Sequence, residues 1–473
     1  MSGNSLFPEV APVLKRLIGT RAFYHSVLTL LIPIIVQQFI SNFVSLLDNI
    51  MVGSLGTESI SAASIANSVL MVFMLAIFGG LSGISIYGAQ FYGKGDMDGM
   101  RNAFRLKMVF CLICSVLGIG IYLAFGEAFI RSFLQGESDG GDLALTLREG
   151  NAYLRIMLWG IAPFAIVQAY ASTLRESGET VVPMVAGVCA IATNLFLNWV
   201  LIFGKLGAPA LGVRGAAAAT VVSRYVELGI VVIYAHTHTY KYPFMKGVYR
   251  TMTIPLPLIR RVLPTAAPLL VNEILWSLGM TFINQLYSSR GLNAVAALNI
   301  TGTAWNLFCV IMFAMGSAVS IMVGQLLGAG EMAEARDVDR KLIFLTEVIH
   351  VVIGGAMIIA APYIPLLYNV GPEVRDLTRR MLIIAGLSLP IHSFAHVCYF
   401  TIRSGGKTLI TFLFDAVYTW AVTVLLAFLL TRFTGMNIVE IYFCVQFIDI
   451  IKLGIGLLML RSDFWAQNVV SDL

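Results

Sequence analysis

The sequence predicts an all-α polytopic membrane protein, with twelve transmembrane helices in two six-helix lobes related by pseudo-two-fold symmetry. Three observations predict it: a composition too apolar for water, twelve stretches long enough to cross a bilayer, and an internal repeat joining the two halves. The chain has 473 residues, 58% hydrophobic and only 12% charged, with a mean hydropathy of +0.84. A soluble domain carries about 25% charged residues, so the polar residues here cannot cover a water-soluble body. The same balance excludes a disordered chain, which needs few apolar residues and much charge. It also excludes a nucleic-acid binder, in spite of a net charge of +5. Cys111, Cys114, Cys189, Cys309, Cys398 and Cys444 all fall in apolar stretches. They behave as small hydrophobes, not as a disulfide frame or a metal site.

A spanning helix needs about 20 predominantly apolar residues. Spans 1 to 6 are expected at roughly 26–51, 59–90, 104–126, 148–174, 181–203 and 213–235. Spans 7 to 12 are expected at roughly 262–288, 294–326, 342–362, 378–402, 409–431 and 437–460. The polar N-terminus lacks a small-residue cleavage site, so no signal peptide is expected. The polar segment around Lys241–Arg261 divides the chain into an N-terminal lobe, 1–238, a cytoplasmic linker, 239–261, and a C-terminal lobe, 262–473. Twelve is even, so both termini share a side. With that side cytoplasmic, the inner segments hold 19 of the 31 Lys and Arg residues and the outer segments 10, with Arg224 and Lys452 inside spans. The inner count includes Lys15 and Arg16. This asymmetry places both termini in the cytoplasm. The outer loop between spans 3 and 4, with Glu137, Asp139 and Asp142, is acidic, and acidic residues weigh little in that rule.

The repeat is gapless over long stretches. At an offset of 235, Pro33 meets Pro268, Gly56 meets Gly291, Gln90 meets Gln325, Gly95 meets Gly330, and Arg101 and Arg105 meet Arg336 and Arg340. At an offset of 228, Thr173 and Arg175 meet Thr401 and Arg403, and Gly178 meets Gly406. Shared hydropathy would not make Gln, Arg and Pro recur at fixed spacing. Six spans per copy is even, so the copies run parallel and their axis lies along the membrane normal. Two such bundles can alternate between openings to either side. The repeated Gln-x-x-Gly-x-Gly-acidic segments fall at cytoplasmic helix ends, where glycine permits the positive-φ exit.

Where the halves differ, function is expected. A charge in the hydrocarbon zone is costly and points to function by default. Arg224 with Glu227, and Asp449 with Lys452, stand three residues apart in spans 6 and 12, where local pairing is expected. Asp48 and Glu273 have no such neighbour; their repeat mates are Ile283 and Gln38. A lone carboxylate facing a cavity would bind a proton or seek a cation, and either event can bias which side is open. Asn194 and Asn198 lie one turn apart in span 5, opposite apolar Val422 and Leu426 in the second half. Their oxygens suit a hard cation and also hydrogen-bond a carboxylic acid; interhelical polar glue is the alternative. His392 and His396 share a face of span 10, with Asp415 as a candidate partner. No H-E-x-x-H glutamate accompanies them. Ser404-Gly405-Gly406-Lys407-Thr408 resembles a phosphate loop, but Thr401 stands where the pattern needs Gly. No cofactor is expected, and the energy source is an ion gradient.

Leu47-Asp48-Asn49-Ile50-Met51-Val52-Gly53, the run from Asn194 through Gly204, Gly207, Gly212 and Gly215 to Thr220, Gly88-Ala89-Gln90-x-x-Gly93, and Pro268-x-x-x-x-Glu273 together carry a resemblance. Over nearly the whole length the chain resembles bacterial members of the multidrug and toxic compound extrusion (MATE) family. The resemblance implies a monomeric exporter of cationic or amphipathic compounds in the bacterial inner membrane, driven by inward H⁺ or Na⁺. It implies that Asp48 is the main cation-responsive carboxylate. Asn194, Asn198 and Thr220 then shape its site, and Glu273 is the acid of span 7. One branch of the family also carries an acid in span 10, near His392; a histidine there departs from that pattern.

The expected function is therefore cation-coupled antiport, with Asp48, Asn194, Asn198, Thr220 and Glu273 in coupling. Gln38, Asn272, Gln285, Trp305, Asn306 and His392 are the expected contacts for small organic cations, since aromatic faces and carboxylates suit flat cations. An alternative is a flippase or exporter of a lipid-linked or specific metabolite, which would need a markedly cationic cavity; the deep charges here are mostly acidic. A membrane enzyme built on His392, His396 and Asp415 is the remote alternative, and no enzyme is expected.

Overall fold

The computed structural model describes residues 17–134 and 143–473. Lys15, Arg16 and the acidic loop of Glu137, Asp139 and Asp142 lie outside the described residues. Among the described residues every regular element is a helix, and twelve spans are long and apolar enough to cross a membrane. They are α1 (Arg21–Gly53), α2 (Thr57–Lys94), α3 (Met97–Leu134), α4 (Leu143–Glu176), α5 (Val181–Phe203) and α6 (Val213–Thr237). The second set is α7 (Leu256–Ser288), α8 (Leu292–Phe308 continued by Val310–Ala329), α9 (Met332–Ala360), α10 (Pro372–Ser404), α11 (Thr408–Phe433) and α12 (Ile438–Arg461). Helix is the form such stretches must take, because lipid offers no partner to an unpaired backbone N–H or C=O.

The helices are not uniform. A 3₁₀ turn, Leu158–Gly160, interrupts α4, and α8 pauses at Cys309. The middle of α11 is wound as π-helix over Leu413–Val417 and Thr419–Val424. In α12, regular winding stops at Phe447 and resumes at Ile450, leaving Asp449 at the break. Prolines lie inside α1 (Pro33), α7 (Pro264 and Pro268) and α10 (Pro390).

The chain forms two compact units, one of Pro33–Ile274 and one of Leu275–Asp472 with the residues up to Ile32. Their borders thus fall within α1 and α7, at or just past a proline in each. Proline removes a backbone donor and is where a helix can change direction. In the unit Pro33–Ile274, α2 packs on α3 and α4, and α5 packs along α6. In the other, α10 is central and touches α8, α9 and α12. Its contact with α9 is backbone-close: a Cβ on Gly354 would stand 2.3 Å from the Gly386 carbonyl oxygen.

The repeat extends to local detail. Gly95 and Gly330 end α2 and the second part of α8 in left-handed conformation, at φ 76° and 84°. At both ends the next residue bonds back five positions, Asp96 N to Phe91 O at 2.9 Å and Glu331 N to Leu326 O at 3.0 Å. This closes the orphan carbonyls of each helix end. The contents of the two halves diverge one layer inward. Lys107 of α3 pairs with Glu176 of α4, both side chains buried, and also donates to Ser172 Oγ at 3.1 Å and Thr173 Oγ1 at 3.2 Å. At the matching interface of the second half, Thr401 of α10 donates to Asp339 of α9 instead.

Candidate functional site

The loop from α5 to α6 brings the predicted polar residues together. Glycine at 215 lets α6 close on α5, since a Cβ there would stand 2.6 Å from the Leu201 carbonyl oxygen. That approach sets Thr220 of α6 beside Asn194 of α5. One helical turn puts Asn198 next to Asn194 on the same face, and both side chains are buried. The C-terminal part of α1 supplies Asp48. Asn198 Nδ2 donates to Asp48 Oδ1 at 2.6 Å and to Asn194 Oδ1 at 3.1 Å.

The Asn194 amide has two useful orientations. With its nitrogen toward Asp48 it donates to both carboxylate oxygens, at 3.0 and 3.1 Å, and its oxygen accepts from Thr220 Oγ1 at 3.2 Å. With its oxygen toward Asp48 it can accept a proton from a carboxylic acid, while its nitrogen donates to Thr220 Oγ1 at 3.2 Å. The first orientation suits an ionised Asp48 and the second a protonated one. Asn198 Oδ1 is buried without a partner among the described residues. It adds an acceptor within this group.

The other expected residues spread over both units. Glu273 and Asn272 of α7 and Gln38 of α1 belong to the unit Pro33–Ile274. Glu273 rests against α2, where a Cβ on Gly79 would meet its Cγ at 3.2 Å. Asn272 is 1% exposed. Gln285, Trp305, Asn306 and His392 belong to the other unit. Gln285 and Asn306 are exposed, and Trp305 meets His392 edge to face with ring centres 5.4 Å apart.

Local pairing within α6 and α12 is not what the structure shows. Arg224 donates to the Gly160 carbonyl oxygen at 3.1 Å and lies 5.1 Å above the Phe164 ring. Among the described residues no ion pair joins it to Glu227. In α12, no ion pair closes between Asp449 and Lys452 among the described residues, although their charges still act on each other. Lys452 instead pairs with Asp415 of α11 at 2.9 Å, and Asp449 lies 3.3 Å from His392 Nδ1. Asp415 is therefore the partner of a lysine. Gln446, which is not among the expected residues, meets His392 Nε2 at 2.7 Å with its Oε1, an oxygen that can only accept. Its signal was its spacing: 446, 449 and 452 recur every three residues in α12.

A duplicated helical bundle with carboxylates and amides set among its spans, and no strands among the described residues, defines a membrane transporter. The family model described as MatE matches residues 33–200 and again 268–430. The chain belongs to the MatE family, whose members are multidrug efflux transporters and not enzymes. It is 25% identical over 424 residues to "Probable multidrug resistance protein YoeA" of Bacillus subtilis, covering 89% of each chain. To "Probable multidrug resistance protein NorM" of Thermotoga maritima it is 22% identical over 442 residues, 93% of each. A solved outward-facing multidrug resistance MATE transporter superposes with a TM-score of 0.82 at 20% identity, over 95% of this chain and 97% of that one. A MOP superfamily transporter from Pyrococcus furiosus gives 0.82 at 19% identity, over 95% and 97%.

Proposed function

We propose that the chain is a cation-coupled antiporter that exports small amphipathic or cationic organic compounds by alternating access, with H⁺ or Na⁺ as the coupling ion. The observation that carries this reading is the reversible donor set around Asp48. Two asparagine amides lie within hydrogen-bonding distance of one carboxylate, and one of them can turn to serve either charge state. Such a group keeps the Asp48 carboxyl hydrogen-bonded whether it is ionised or protonated. Turned the other way, its oxygens and those of Asp48 offer hard ligands of the kind a small cation takes. Glu273 is the second carboxylate of this scheme. Gln38, Asn272, Gln285, Trp305, Asn306 and His392 are the proposed substrate contacts.

The multidrug resistance names of the relatives support organic compounds as cargo. Lobes at 1–238 and 262–473 joined by a cytoplasmic linker at 239–261, both termini in the cytoplasm, a bacterial inner membrane and a monomeric state complete the proposal. The test is efflux from proteoliposomes with pH and Na⁺ gradients imposed separately. Asp48→Asn should lose gradient-driven efflux of every substrate the parent carries. Unchanged efflux by Asp48→Asn would refute the assignment.

A further inference from the structure

The residues that follow α12 fold back onto the half they come from. Two crossings separate the end of α8 from that of α10, and α10 from α12. The α8–α9 turn, the α10–α11 turn and the segment 463–472 therefore share a face. Asp463 turns the chain, with a left-handed backbone at φ 52° that aspartate tolerates better than most residues. Its carboxylate accepts from Arg336 Nη1 of α9 at 2.6 Å. Two residues on, Trp465 is the largest fully buried side chain among the described residues. Asn468 Nδ2 then donates to the Gly328 carbonyl oxygen, at the end of α8, at 3.0 Å. Val470 is buried in turn.

The α10–α11 turn is shaped to receive this segment. A Cβ on Gly405 would collide with the Trp465 carbonyl oxygen, and one on Gly406 would stand 2.7 Å from Val469 Cγ1. The repeat separates two reasons for glycine here. Gly406 and its mate Gly178 are both left-handed, at φ 77° and 84°, so the turn itself calls for glycine there. Gly405 has φ −87°, and its mate Ser177 has the same conformation, at φ −85°, with a side chain in place. Glycine at 405 therefore answers the backbone that crosses it and not the turn. The glycine pair of the Ser404–Thr408 run, which resembles a phosphate loop in sequence, lies under the chain's own segment.

The first half binds the segment after its own sixth span with the matching arginine. Arg101, the repeat mate of Arg336, donates to the Phe244 and Pro243 carbonyl oxygens at 3.1 and 3.2 Å, and Arg105 to that of Val248 at 2.8 Å. Phe244 and Met245 are buried there. Each half thus closes one face with the chain that leaves it, by a repeated guanidinium and buried side chains. In the second half the anchor is a tryptophan, the residue type that most often carries the energy of a bound peptide. Its tether to α12 makes the binding intramolecular and so holds the segment at high effective concentration.

We propose that the segment 463–472 is a clasp, bound in a groove formed by Gly328, Arg336, Gly405 and Gly406, that ties the α8–α9 and α10–α11 turns of the second half into one block. The inference is independent of the antiport reading. Amide hydrogen exchange of the full-length protein in lipid nanodiscs, read by mass spectrometry, tests it. In the parent, amides in 464–470 should exchange about tenfold or more slower than in an unstructured peptide. Trp465→Ala should remove that protection and also speed exchange in 328–332 and 404–408, where no residue has changed. Gly405→Val should do the same with Trp465 still present, so the test survives if either variant fails to fold. An unprotected segment in the parent would overturn the proposal. So would a variant that frees the segment while both turns exchange as in the parent, because the segment would then rest on this face without clasping it.

Discussion

Asn198 Nδ2 lies 2.6 Å from Asp48 Oδ1, a hydrogen bond that ties α5 to α1 across 150 residues of sequence. A charge-assisted bond of this kind contributes about 1.5–3 kcal/mol. If its purpose is to tune one carboxylate, removing it matters only while the carboxylate is there. Asn198→Leu should slow gradient-driven efflux about tenfold or more. The double variant with Asp48→Asn should be no slower than Asp48→Asn alone. Initial rates from proteoliposomes decide this; additive losses would mean that Asn198 acts elsewhere.

The Lys107–Glu176 pair is buried on both sides, with side chains 0% and 6% exposed. Removing one member of such a pair strands the other charge and costs about 3–5 kcal/mol, whereas replacing both with apolar residues is near neutral. Lys107→Met should therefore lower the melting temperature of the purified protein sharply, and adding Glu176→Met should restore most of it. A single variant that melts with the parent would show that the pair is not a clamp between α3 and α4.

Outside the membrane, Glu179 joins the start of α5 to the segment after α6. It accepts from Lys241 at 2.6 Å, from Tyr242 at 2.8 Å and from the backbone of Val181 and Val182 at 3.2 and 3.3 Å. Burial alone would raise its pKa, but the bonds from Lys241 and Tyr242 outweigh it and hold the carboxyl below its usual range. Lys241 is raised in turn, chiefly by the bond to Glu179. A lowered carboxyl stabilises the fold above its unfolded value of about 4.3 and loses that contribution as pH falls through the folded value. Lys241 contributes below about 10.4 and loses it as pH rises past its folded value. Half-exposed Lys241 limits the effect to about 1 kcal/mol or less. The melting-temperature gap between parent and Glu179→Gln should be widest between about pH 5 and 9 and close below about pH 4. A gap that does not change with pH would contradict the assignment.

Much of this was legible in the sequence, for a physical reason. Lipid forces spanning stretches into helices, so hydropathy alone sets out twelve spans, and fixed offsets of Pro, Gln and Arg expose the duplication. Asp48 stood out because no charge neighboured it, and Asn194 and Asn198 because one helical turn separates them. What local patterning does not contain is how helices end and turn inside the bilayer. The π turns of α11 and the α12 break follow from packing among helices, and they send Lys452 to Asp415 and Asp449 to His392. Gln446 escaped notice because its role exists only once His392 is placed opposite. The carboxylate site was thus readable as a set of residues, while its bonding required the approach of α6 to α5 at Gly215.

The most direct measurement is substrate-driven ion movement in proteoliposomes with no imposed ion gradient, followed by pH-sensitive and Na⁺-sensitive dyes. An outward substrate gradient should drive one of the two ions inward in the parent and neither in Asp48→Asn. Equal ion movement in both proteins, or substrate crossing in the parent with no opposing ion, would contradict coupling through Asp48.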